Sequence, residues 1–146
     1  MSKLYYLASP YSHKDREIMN QRAEQATKAA VDLLKLGVVT FAPIPYNCHW
    51  EKYNLPSDWG FWQDFDKTFI DHMDAVVVLQ LEGWDKSVGV TAEIAYAKEI
   101  SIPVYYLSVE QIENKDIKHL TENLMKDTIK LKQAALNQAL NKTTWG

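Results

Sequence analysis

The run Ala75–Leu81, AVVVLQL, is apolar at six of its seven positions, so it lacks the inward–outward alternation of a half-buried strand. A strand of that kind has both faces covered, which calls for a parallel sheet with helices on either side. Leu4–Ala8 and Val38–Ala42 have the same character, and they are stopped by Ser9-Pro10 and by Pro43 and Pro45. Between those two runs, Met19, Ala23, Ala26, Ala30 and Leu33 recur at helical spacing, with Ser12 and Asp15 as a capping pair and Gly37 as C-cap. Helical spacing returns after Ser57-Asp58, through Trp59, Trp62, Asp66, Phe69, Ile70 and Met73, and again over Val88–Ile100 before a fourth strand, Pro103–Leu107. The order β-α-β-α-β-α-β with right-handed crossovers predicts a three-layer α/β sandwich of flavodoxin or Rossmann-like type. Its parallel sheet should run in the order 2-1-3-4. Residues 43–58, rich in proline and aromatics, read as a structured loop and a candidate lid.

Beyond Leu107 the chain turns amphipathic and helical. Ile117, Leu120, Leu124, Ile129, Leu131, Ala135, Leu136 and Leu140 are set among Lys, Asn and Gln. These C-terminal helices are expected to pack on the sheet or to meet another subunit. No repeat or linker divides the chain, so residues 1–146 are read as one domain. With 47% hydrophobic and 24% charged residues, it can bury one sizeable core.

A net charge of −3 leaves no basic surplus for a nucleic-acid polymer, and no apolar run is long enough to span a bilayer. The first residues, MSKLYYLASPY, enter a strand directly, so no signal peptide and a cytoplasmic location are expected. Cys48 is the only cysteine, which excludes an internal disulfide and a multi-thiolate metal centre. His13, His72 and His119 lack metal-ligand spacing, and no metal is expected. Neither GxGxxG nor GxxxxGK[ST] occurs, which argues against NAD and ATP as cofactors. Cys48 and His49 are adjacent in sequence, an arrangement that rarely makes a nucleophilic pair.

Two carboxylates interrupt apolar stripes. Glu93 adjoins the stripe Val90, Ile94 and Ala97, at the edge of the buried face; a Glu leaning outward would fit the same spacing. Asp66 falls within the stripe of Trp62, Phe69, Ile70 and Met73, unless Phe65 faces inward and Asp64 and Asp66 are both solvated. An ionised carboxylate among aromatics is costly unless it is paired or used. Ser87 can cap the helix that carries Glu93, and Gly89 would let a ligand approach its backbone. Ser9, Pro10, Tyr11 and Ser12 form the first strand-to-helix turn, where hydroxyls and N–H groups can hold an anion. Trp50, Trp59, Trp62 and Trp84 can stack on a base or simply pack together.

Tyr6-Leu7-Ala8-Ser9-Pro10, Asp66, Asp74-Ala75-Val76-Val77-Val78 and Ser87-Val88-Gly89-Val90-Thr91-Ala92-Glu93 together resemble the nucleoside 2-deoxyribosyltransferase family. In that family a catalytic Asp stands eight residues before the Asp that opens the third strand, and the nucleophilic Glu closes an S/D-x-G-x-x-x-E segment. Asp66, Asp74 and Glu93 occupy those positions. The Ser at position 87 resembles the branch that hydrolyses 2′-deoxynucleoside 5′-monophosphates; Ser9 stands where the family commonly has Gly. The tryptophans and the GW-x-x-S-x-G form are also similar to a bacterial and phage subgroup.

The resemblance implies Glu93 as nucleophile, Asp66 holding or protonating the departing base, and Tyr6 orienting Glu93. It further implies that Ser87, with Ser9 or Ser12 and the helix N-terminus, holds the 5′ end of the sugar. The substrate would be a nucleoside or its 5′-monophosphate, with no cofactor or metal. A homodimer or larger assembly would complete the pockets. Two rivals stand beside this: another N-glycosidase, such as an NAD-cleaving hydrolase, and a non-catalytic nucleotide-binding regulator of the same fold.

Overall fold

A computed structural model describes residues 3–121 and 126–141. The three apolar runs become β1 (Leu4–Ala8), β2 (Val39–Phe41) and β3 (Ala75–Leu79), and β4 spans Val104–Leu107. All neighbouring pairs are parallel, in the order β2-β1-β3-β4. This is the predicted three-layer α/β arrangement. Alternate residues of the inner strands fill two cores. Tyr5, Leu7, Val77 and Leu79 pack with Ala26, Ala29 and Leu33 of α1 (Arg16–Lys35) and with Leu107 and Leu120. Tyr6, Ala8, Val76 and Val78 pack with Ile70 of α3 (Trp59–Ile70) and with Val90 and Ala97 of α4 (Val88–Glu99). Each fully buried aliphatic side chain contributes about 1.5–3 kcal/mol relative to exposure.

Local chemistry sets the ends of these elements. Asp15, not Ser12, caps α1: its carboxylate accepts from the Glu17 N–H at 2.9 Å, while its own N–H donates to His13 Nδ1. The predicted Ser12–Asp15 pair is therefore not formed, because the chain stays non-helical as far as Asp15. Gly37, just past the end of α1, has φ +86°, a left-handed turn that glycine adopts without strain. At the amino end of the sheet, Leu4 N–H donates to Asp74 Oδ2 at 2.7 Å and Asp74 N–H donates to the Leu4 carbonyl at 2.9 Å, which fixes the register of β1 on β3.

Residues 43–58 are not a loop throughout. They form α2 (Pro43–Asn47) and a 3-10 turn, Cys48–Tyr53, before an irregular stretch that ends at Asp58, the N-cap of α3. Trp50 joins this segment to α3 through ring contacts with Trp62 and Phe65.

After β4 come α5 (Val109–Glu113), α6 (Lys118–Thr121) and α7 (Lys126–Asn141). The Tyr5 hydroxyl donates to the Leu120 carbonyl at 2.7 Å and so ties α6 to the central strand. Leu124 lies outside the described residues, as do the side chains of Ile129 and Leu131. No helix among the described residues is long and apolar enough to cross a membrane.

Candidate active site

Sheet order reverses between β1 and β3, and ligands of open parallel sheets bind beyond the carboxyl ends of the strands at such a point. A cavity of about 550 Å³ opens there, within the range of small-molecule sites. Its lining comes from the turn after β1, the segment 43–58, the start of α3 and the start of α4.

Glu93 lies at its floor, 4% exposed. The buried positions of α4 are Val90, Glu93 and Ala97, so the carboxyl replaces an apolar side chain on the stripe facing the sheet. Tyr6, wholly buried in β1, donates its hydroxyl hydrogen bond to Glu93 Oε2. Asp66, on α3, lines the same cavity and lies close enough to Tyr6 and Glu93 for the three to shift one another's ionisation. Phe65, the neighbour that competed with it for the inward position, packs into the Trp50, Trp62 and Phe69 cluster. Both residues face inward, one to the cavity and one to the aromatic cluster.

Burial governs the ionisation of this group. It raises Asp66 to about 6, against the opposing pull of hydrogen bonds with Tyr6 and Glu93. Burial first, and then the adjacent Asp66 charge, holds Glu93 well above the ordinary carboxylate range. Burial and then the Glu93 charge keep the Tyr6 hydroxyl protonated. Two neighbouring carboxyls largely out of water do not both ionise, so the pair retains a proton into the neutral range.

Ser9, Ser12, Trp62, Ser87 and Gly89 line the same cavity, together with Asp66 and Glu93. Pro10 is buried and is absent from the lining; it shapes the turn without facing the cavity. Ser87 caps α4, its hydroxyl accepting from the Val90 N–H at 3.3 Å. A Cβ on Gly89 would meet Trp59 at 3.8 Å and Ser87 Oγ at 4.0 Å, both ordinary contacts, so no packing within the protein demands glycine there. The Ser9 hydroxyl is enclosed and has no hydrogen-bond partner, a cost of about 1–3 kcal/mol that a ligand atom can offset.

Several lining residues escaped the sequence reading. Asn47 is 8% exposed, and its side-chain amide has no partner among the described residues. It lies four residues after Pro43 on the buried side of α2, a spacing that becomes informative only once 43–47 is known to be helical. Glu51 accepts from the Tyr11 hydroxyl and pairs with Arg16 at 2.8 Å, fastening the 3-10 turn to the start of α1. Among the described residues Lys86 is the one lysine or arginine in the lining, against the carboxylates of Glu51, Asp58, Asp66 and Glu93. Burial raises the Cys48 thiol, the reverse of what an activated nucleophile needs, and the His49 ring sits edge-on to Trp50. Trp62 is fixed by an Nε1–H bond to the Pro56 carbonyl at 2.7 Å, whereas Trp84 packs separately on Tyr106.

Residues 3–109 match the model of a protein family described as a domain of unknown function, DUF1937. No curated protein matches the chain.

Proposed function

The chain belongs to the DUF1937 family, and from its buried acid pair we propose that it cleaves or transfers the N-glycosidic bond of a nucleoside or a nucleoside 5′-monophosphate. The observation that carries this reading is the Tyr6–Glu93–Asp66 cluster at the floor of a cavity large enough for a nucleotide. The resemblance of the same residues to the nucleoside 2-deoxyribosyltransferases supports it.

Entry of the base lets the proton of the pair settle on Asp66, which offers it to a ring nitrogen and leaves Glu93 anionic. The Glu93 carboxylate then attacks the anomeric carbon through an oxocarbenium-like state as the carbon–nitrogen bond breaks. The electron pair of that bond leaves with the base, and the Asp66 proton neutralises it. A glycosyl ester on Glu93 remains. Water attacking this ester, with its proton passing to Asp66, releases free sugar; attack by a second base transfers the sugar instead. Tyr6 holds one Glu93 oxygen, so the other is the free nucleophile.

A small-molecule substrate and work without a cofactor belong to the same proposal. So do cytoplasmic residence and a homodimer or larger assembly that completes the pocket. The test is chromatographic detection of free base from deoxynucleosides, ribonucleosides, their 5′-monophosphates and NAD, with and without a second base, for the wild type and Glu93→Gln. Release by the wild type that is lost in the variant supports the reading, and the active substrate names the sugar. Binding without release from any of them overturns it in favour of a nucleotide-binding regulator.

A further inference from the structure

The turn after β1 and the turn after β3 both line the cavity, yet they belong to different crossovers, and no backbone ladder runs between them. One side chain spans the two. Arg22, half-buried on α1, donates from Nη1 to the Ser12 carbonyl at 2.9 Å and to the Tyr11 carbonyl at 3.4 Å, and from Nη2 to the Glu82 carbonyl at 3.0 Å. No carboxylate pairs with it among the described residues, so the guanidinium is committed to backbone.

A second observation converges on the same point. Gly83, next to Glu82, has φ +88°, and a Cβ built on it would lie 2.7 Å from Arg22 Nη2. The glycine permits the left-handed turn and also leaves the space that the guanidinium fills. Arg22 and Gly83 fit as a pair.

We propose that Arg22 is a positioning residue: it clamps the β1–α1 and β3–α4 turns at the spacing that the sugar end of the ligand requires. The inference rests on the nucleoside reading of the cavity. The carbonyl of one residue and the N–H of the next lie in one plane and point in opposite directions. Anchoring the Tyr11 and Ser12 carbonyls therefore directs the N–H groups of Ser12 and His13 away from the guanidinium. Anchoring Glu82 fixes the start of the short segment that carries Lys86 and Ser87 to the N-terminus of α4. A planar fork with donors on two nitrogens can serve two turns at once, and a lysine ammonium, reaching as a single point, cannot hold both at these spacings.

The experiment compares Arg22→Lys and Gly83→Ala with the wild type by amide hydrogen exchange without ligand, and by steady-state kinetics on whichever nucleoside or 5′-monophosphate the wild type cleaves. Faster exchange in both turns, 9–14 and 82–87, from either variant is the expected result, with KM raised about tenfold and kcat within about twofold. Faster exchange in one turn alone, or a loss confined to kcat, overturns the clamp. A folded Arg22→Lys protein with lowered Tm but unchanged exchange and KM likewise reduces Arg22 to a structural role. If the wild type cleaves nothing, the nucleoside reading fails by itself, and the exchange comparison still decides whether one residue couples the two turns.

Discussion

The hydroxyl of Tyr6 donates to Glu93 across 87 residues of sequence, joining the central strand to the helix that follows β3. The bond occupies one carboxyl oxygen and orients the other. Tyr6→Phe keeps the ring and its packing on Phe41 but leaves Glu93 free to rotate. Base release is expected to fall about 10–100-fold at saturating substrate, with KM little changed. An unchanged kcat would show that Asp66 and helix packing orient Glu93 by themselves.

Asp66 ties stability to pH. Its ordinary value is 3.8 and its folded value is about 6, so the native state keeps a proton that the unfolded chain has lost. Stability is complete below about 4 and declines as pH rises through 6, by up to about 3 kcal/mol. Asp66→Asn removes the ionisable group. Thermal melts across pH 4–8 should show a flatter profile and a Tm at pH 7 higher by about 3–8 °C, while base release drops about 10²–10⁴-fold. A Tm lowered at every pH would contradict the assigned burial cost.

Gly89 separates ligand space from protein space. Because an added Cβ meets only ordinary contacts, Gly89→Ala should leave the protein as stable or up to about 1 kcal/mol more stable, through helix propensity. The same methyl projects into the cavity lining and should weaken nucleotide binding severalfold in calorimetry. Destabilisation in urea melts with unchanged affinity would invert the assignment.

The Tyr5–Leu120 bond fastens the segment beyond β4 to the sheet. Tyr5→Phe strands a buried carbonyl and should cost about 1–3 kcal/mol in urea unfolding. Limited proteolysis should then cut first between β4 and α7. A variant as stable and as resistant as the wild type would mean that the Leu120 carbonyl finds water.

The sheet was legible because continuous apolar runs have few other uses, and strand order followed from crossover handedness. The segment 43–58 was not legible. Pro43 and Pro45 read as breakers, yet they occupy the first turn of α2, where the missing N–H costs nothing. Ser12 has the spacing of a cap, but Asp15, three residues on, serves that purpose itself. The spacing from Val90 to Ile94 puts Glu93 at the edge of its stripe; the helix buries Val90, Glu93 and Ala97 instead, a step of three and then four. Asp66 was visible as an anomaly within an apolar stripe. Its place beside Glu93 in one cavity depends on how α3 and α4 lie across the sheet, which neither helix encodes alone. Asn47 and Glu51 stayed hidden for the same reason as α2, and Arg22 because its partners are carbonyls, which leave no trace in side-chain identity.

The order β2-β1-β3-β4 also bears on how the chain is made. β1 is synthesised first but is an inner strand, and its neighbours follow only at Val39 and Ala75. At ribosomal rates of about 5–20 residues per second, Glu93 is added roughly 4–17 s after Tyr6. Throughout that interval the apolar strand Leu4–Ala8 has no completed sheet to enter. A nascent chain stalled before residue 75 should therefore be held by chaperones and cut readily by proteases, whereas one stalled beyond residue 107, with the exit tunnel cleared, should resist both.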